Sequence, residues 1–187
     1  MSRIILASQS PRRKQLLEWA EIDFEVVVSN TDESFPATLP VADVPVHIAR
    51  AKAAAVRALT GNSERIIIAA DTVVVLGNTI IGKPMDRTDA IEILQSLSGK
   101  QHEVITGVVI TKGDNEIAFA DRTVVQFHPL TAAQIEFYVD KYQPYDKAGA
   151  YAIQEWIGVV GIRAVEGDFY NVMGLPVSRV VQALTRF

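Results

Sequence analysis

The chain has 187 residues, 49% of them hydrophobic and 21% charged, which is ordinary globular composition and enough length to bury a real core. Its net charge of −4 and pI near 5.4 argue against a whole-surface field for nucleic acid, so any bound anion must be held by a local cluster of Arg and Lys. With no cysteine there is neither a disulfide framework nor a thiolate metal site.

The N-terminus, Met1-Ser2-Arg3-Ile4-Ile5-Leu6-Ala7, has an apolar run too short for a signal-peptide core. No stretch approaches the roughly 20 apolar residues of a membrane span. A cytoplasmic protein is therefore expected, without membrane or nucleic-acid partners. One domain, residues 1–187, is expected as well, because no repeat, linker or low-complexity tract interrupts the chain.

Arg3 to Ala7 reads as a buried strand, Pro11 to Ala20 as a helix and Phe24 to Ser29 as a strand. Asn30 to Asp43, with two prolines, reads as a loop. Val44 to Leu59 reads as a helix with an apolar stripe at 44, 48, 51, 55 and 59. Arg65 to Leu76 is strand-like, and Gly77-Asn78 is a hairpin signal. Asp86 to Ser98 reads as a helix stopped by Gly99. Glu103 to Thr111 and Ile117 to Phe127 read as long strands around a Gly113-Asp114-Asn115 turn. Thr131 to Tyr142 is a helix opened by a Thr131/Gln134 capping box. Gly158 to Val165 and Phe169 to Val172 read as short strands, and Pro176 opens a last helix. This alternation predicts an α/β fold with a mixed sheet.

Between the first strand and helix, Ser8 and Ser10 are candidate N-caps and Pro11 suits a first helical position. A helix start of this kind favours an anion. Arg12 and Arg13 oppose the helix dipole there, and Arg13 shares a face with Leu16, Leu17 and Ala20. An inward arginine at a helix start points to bound phosphate; the plainer reading is a basic surface turn. Lys52, beside Ile48, falls at the edge of its helix stripe, where a lysine ordinarily snorkels to water. Lys83, in Gly82-Lys83-Pro84, and Lys147 are turn lysines, which on spacing alone are solvent decoration.

Asp71 stands in or at the end of the apolar run Ile66 to Ala70 and needs a cation or hydrogen bonds. It is a site carboxylate or a structural one bonded to backbone amides. Glu33 lies in a polar loop beside Asp32; together with Asp71 it can hold a Mg²⁺ that also takes phosphate oxygens. His47, His102 and His128 show no metal-ligand spacing. There is no GxxxxGK[ST], no GxSxG and no cysteine nucleophile, so an activated water is the natural attacker.

Several segments together resemble the Maf family, the septum-formation-inhibitor-like nucleoside triphosphate pyrophosphatases. They include Leu6-Ala7-Ser8-Gln9-Ser10-Pro11-Arg12-Arg13, Thr31-Asp32-Glu33, Ala49-Arg50-Ala51-Lys52-Ala53 and Ala69-Ala70-Asp71-Thr72-Val73-Val74. Gly82-Lys83-Pro84, the run Asp146 to Gln154 and the run Gly167 to Pro176 complete the pattern, in order, from about Ile4 to Thr185. The resemblance implies an elongated α/β fold, a mixed sheet flanked by helices with a central cleft, similar to inosine triphosphate pyrophosphatases. It implies hydrolysis of a nucleoside triphosphate to the monophosphate and pyrophosphate with a divalent cation (Mg²⁺, Mn²⁺ or Co²⁺). Roles in removing non-standard nucleotides and in cell-division control go with it.

In that pattern Asp71 orders metal and activates water, and Glu33 assists at the metal. Ser8, Arg13, Lys52 and Lys83 hold phosphates, with Lys147 also at the substrate. Arg12, Thr72 and Gln154 match the positions that mark the branch acting on dTTP and UTP. The only partner expected besides the nucleotide is a second copy of the chain, in a homodimer. Two readings compete: a phosphate-ligand sensor without a water-activating carboxylate, and a nucleic-acid-binding module, which the acidic pI opposes.

Overall fold

The computed structural model describes residues 3–61 and 64–187, so Met1 and Ser2 of the N-terminal reading lie outside the described residues. The chain falls into two compact units. Unit 1 comprises residues 1–72, 106–121 and 174–187, and unit 2 comprises 73–105 and 122–173.

Unit 1 opens with β1 (Ile4–Leu6), α1 (Pro11–Trp19) and β2 (Phe24–Val26), followed by α2 (Val44–Thr60) and the start of β3 (Ile67–Leu76). β1 lies between β2 and β3 and is parallel to both, in the register Ile5↔Glu25 and Ile5↔Ile67. The chain thus leaves β1 on one side through α1 and returns on the other through α2. In open α/β sheets, ligands bind beyond the carboxyl ends of strands at such a reversal.

Side chains alternate across the sheet. Ile5, Ala7, Ile67 and Ala69 form one buried cluster with Ala49, Ala53 and Val56 of α2 and with Val109. Leu6, Ile68 and Ala70, which alternate with them, are equally buried, so both faces of the strands are covered. β3 is buried from Ile67 to Ala70 and again from Val73 to Val75, with half-buried Asp71 and Thr72 between the two runs.

The α2 stripe differs from its sequence reading. Its buried residues are Val44, Pro45, Ile48, Ala49, Ala53 and Val56, while Leu59 is exposed. In an alanine-rich helix small side chains suit either face, so the period cannot fix the rotation. The true rotation turns Lys52 inward, with only 17% of its side chain exposed.

Unit 2 contains the end of β3, β4 (Thr79–Ile81), α3 (Arg87–Leu97) and the first part of β5 (Gln101–Lys112). It continues with the end of β6 (Asn115–Phe127), α4 (Ala132–Tyr142), a 3₁₀ turn at Ala148–Ala150, α5 (Trp156–Gly161), β7 (Ile162–Glu166) and α6 (Phe169–Met173). The last helix, α7 (Val177–Leu184), belongs to unit 1 and follows Pro176. The sheet order is β2-β1-β3-β5-β6-β7, with β4 paired to β3. β3–β4 and β6–β7 are antiparallel, so the seven-stranded sheet is mixed.

The Gly77-Asn78 hairpin and the complete Thr131/Gln134 capping box are as the sequence predicts, and the helix read from Asp86 to Ser98 is α3, with Asp86 as its N-cap. Of two predicted strands, Gly158 to Val165 is strand only from Ile162 onward, in β7, and Phe169 to Val172 is helical. Residues 156–161 coil into α5, because the Glu155 carbonyl accepts from Gly158 and Val159 N–H and starts a helical turn. A Cβ at Gly158 would fall 1.7 Å from the Ile153 carbonyl oxygen, so only glycine fits there. Residues 169–173 form α6, where the Asp168 carboxylate accepts from Tyr170 N–H at 2.8 Å. The buried Asn171 amide donates to the Val104 carbonyl and to Thr123 Oγ1, both at 3.0 Å, anchoring this turn against the strands. Local hydrogen bonds in the first segment and tertiary ones in the second override the β-propensity of Ile, Val, Phe and Tyr.

Candidate active site

Ser8 follows β1, Glu33 lies in the loop after β2, and Asp71 and Thr72 lie in mid-β3, past its parallel pairing with β1, as two half-buried positions between the buried runs Ile67–Ala70 and Val73–Val75. The strand alternation sorts them. Asp71 falls on the face that packs α2 and meets Lys52; Thr72, on the other face, meets Arg13 of α1.

Lys52 Nζ lies 2.8 Å from Asp71 Oδ1 and 2.7 Å from Glu33 Oε1. One ammonium therefore brings two carboxylates from distant parts of the chain to a common point. Asp71 is the more enclosed, with 13% of its side chain exposed against 52% for Glu33. The donor set suits a hard divalent cation that draws its other ligands from substrate. It offers two carboxylates, and no group of three or more His, Asp or Glu residues among those described forms a complete cage. Asp32 does not join the pair. It accepts from Ser34 N–H and Oγ–H at 2.9 and 2.8 Å, and these bonds hold its carboxyl below the ordinary value.

Arg13 is buried, as its place on the core face of α1 predicts. Its Nη1 donates to Ser8 Oγ at 3.0 Å, Nη2 to Thr72 Oγ1 at 2.9 Å and Nε to the Gly174 carbonyl at 2.7 Å. Burial pushes the guanidinium below its usual pKa; the charge of Asp71 opposes this and Arg12 adds to it. Arginine stays protonated throughout. Three of its five N–H groups serve these contacts, leaving two for an anion. Ser10, rather than Ser8, is the N-cap of α1, accepting from Arg13 N–H. Thr72 Oγ1 also shares a hydrogen bond with Thr106 Oγ1 at 2.9 Å and lies 3.5 Å from the Gly174 carbonyl. A hydroxyl has one proton and two lone pairs. This one is committed to orienting Arg13.

The remaining candidates lie in unit 2. Gly149 N–H donates to the Gly82 carbonyl at 3.0 Å, which ties the Lys83 turn to the 147–154 segment. Gly149 has φ +73°, and a Cβ there would come within 3.0 Å of Val74 Cγ2, so the tie requires glycine. Lys83 and Gln154 are exposed. Among the described residues Gln154 makes no side-chain hydrogen bond, so its amide is not spent on capping the turn it ends. Lys147 is not solvent decoration: it is buried and pairs with Asp146 Oδ1 at 2.7 Å. Its second carboxylate neighbour, Glu155, was missed in the sequence, as was Thr106. Neither carries a local signal, since each acts on a residue brought in by the fold.

A family model described as Maf-like protein matches residues 3–187. A dTTP/UTP pyrophosphatase of Cytophaga hutchinsonii is 49% identical over 98% of this chain and 83% of its own length. One from Parabacteroides distasonis is 47% identical over 99% of this chain and 96% of its own. The solved structure of the Staphylococcus aureus Ham1 protein superposes with a TM-score of 0.52, covering 99% of this chain and 98% of that one. At 16% identity that likeness speaks for the fold alone. A match running the whole described length, with relatives near half identical, leaves one assignment: the chain belongs to the Maf family.

Proposed function

We propose that this chain hydrolyses dTTP and UTP to the nucleoside monophosphate and pyrophosphate. The observation that carries the proposal is the convergence of Asp71 and Glu33 on Lys52, beside strand ends where α/β sheets bind ligands. The names of the relatives supply the substrate class. Water adds across the bond between the α and β phosphates, one oxygen joining the products and its protons leaving to base and solvent. Asp71, the more enclosed carboxylate, is the group assigned to take the proton. Lys52 and the two remaining N–H groups of Arg13 are assigned to the phosphate oxygens, with Ser8 and Thr72 holding Arg13 in place. In keeping with the family pattern, Lys83 and Lys147 are assigned to phosphate, and Arg12 and Gln154 to the choice of base. Asp71 and Glu33 would hold the divalent cation, which would neutralise phosphate charge and acidify water.

The deciding experiment is a panel of dTTP, UTP, CTP, ATP and GTP with identification of products. Monophosphate plus pyrophosphate from dTTP and UTP is the expected outcome; inorganic phosphate as the first product, or no turnover, overturns the proposal. In the same assay, exhaustive EDTA treatment should abolish turnover, and Mg²⁺, Mn²⁺ or Co²⁺ should restore it. Full activity after chelation would remove the cation from the reading.

Base choice gives a further expected result. Uracil and thymine present an N–H beside carbonyl acceptors, and a glutamine amide carries both complementary functions. The exposed Gln154 amide has no competing hydrogen bond among the described residues, so it is available to them. Gln154→Ala should lower kcat/KM for dTTP and UTP about tenfold while changing CTP less, because a missing polar contact penalises only the base that needs it. Unchanged ratios across the panel would place selectivity elsewhere.

A further inference from the structure

We propose that Glu155 and Tyr138 are positioning residues that set Lys147 for the phosphate chain, an inference that rests on the function proposed above. Only 11% of the Lys147 side chain is exposed, and an ammonium so enclosed needs fixed negative charge. Asp146 supplies a bond at 2.7 Å, but its side chain is 61% exposed and can rotate into solvent. Glu155 is the enclosed partner, with 23% of its side chain exposed and Oε1 3.8 Å from Lys147 Nζ.

What distinguishes Glu155 is its own restraint. Its other oxygen, Oε2, accepts from the Tyr138 hydroxyl. Tyr138 is fully buried, stacks on Tyr142 and accepts from Ala152 N–H at 3.1 Å. The tyrosine spends its one proton on Glu155 and a lone pair on the backbone two residues before Gln154. The carboxylate is thereby locked in place. At 3.8 Å it contributes charge without occupying a hydrogen bond, so the ammonium keeps N–H groups for an anion beyond the one given to Asp146. A lysine needed only for packing would be replaced by an apolar residue at no loss, because a buried ion pair seldom stabilises more than its hydrophobic equivalent.

The test is steady-state kinetics on dTTP, UTP and CTP for wild type, Glu155→Gln, Tyr138→Phe, Lys147→Met and the Lys147→Met/Glu155→Gln double variant, with Tm recorded for each. Glu155→Gln keeps shape and a hydrogen-bond acceptor but removes the charge. It should raise KM about tenfold for all three nucleotides with kcat held within about threefold, the signature of a phosphate contact made alike in ground and transition states. Tyr138→Phe, whose ring stays stacked, should raise KM in the same direction. In the Lys147→Met background Glu155→Gln should add nothing, since the residue it positions is gone. If Glu155→Gln leaves KM unchanged, or its effect persists in full without Lys147, the positioning role is overturned. If wild type hydrolyses none of the nucleotides, the function itself fails and this role with it.

Discussion

Asp71→Asn is expected to leave a folded protein that has lost at least about 100-fold in turnover, the low end for removal of a general base. The amide keeps the volume of the carboxylate but not its charge or its ability to take a proton. The fold should survive because Lys52, the half-buried partner of Asp71, keeps a second carboxylate in Glu33 at 2.7 Å. The lysine is not left as an unpaired buried charge, which is what makes the loss of one member of an ion pair costly. Circular dichroism and Tm near wild type, with kcat reduced by that factor, would bear this out. A folded variant that keeps more than about a tenth of wild-type turnover, a barrier change of only about 1.4 kcal/mol, would mean that Asp71 is not the base.

Arg13→Ala should do the opposite and damage fold and activity together. The guanidinium reaches Ser8, Thr72 and the Gly174 carbonyl from a buried position, and truncation takes a charged donor from each of the three and leaves a cavity. Hydrogen bonds from a charged donor contribute roughly 1.5–3 kcal/mol each, and with partial relaxation a loss of about 3–5 kcal/mol is expected. For a chain of this size that corresponds to a fall in Tm of about 10 °C. Below the transition, kcat/KM should drop by a similar factor for every nucleotide, because phosphate is common to all. Thermal unfolding with the nucleotide panel checks both parts. A stable variant would show that the three acceptors find other partners, and a loss confined to one base would show that Arg13 reads something besides phosphate.

The local elements with strong chemistry were legible in the sequence. Pro11 after Ser10, Gly77-Asn78 between apolar runs and Thr131 with Gln134 each define a helix start or turn through contacts within a few residues. The inward face of Arg13 was legible for the same reason, from Leu16 and Leu17 one turn on. What was not legible depends on partners far along the chain. The turn at 169–173 is held by Asn171 on Val104 and Thr123, 67 and 48 residues away. The inward turn of Lys52 reverses its reading as an edge lysine, because alanines left the helix rotation undetermined. Thr72 matched a position that marks base choice, but the fold engages its hydroxyl with Arg13 and Thr106.

The bond from Arg13 to the Gly174 carbonyl joins residues 161 positions apart. At Gly174 φ is +117°, and a Cβ would stand 3.6 Å from Arg13 Nε, so that carbonyl is presented by a backbone shape other residues resist. During synthesis the chain emerges from its N-terminus, so Arg13 appears 161 residues before its acceptor. The guanidinium therefore waits for one of its three acceptors until that whole stretch has been made, and the environment in which it is finally buried cannot be completed by local folding alone.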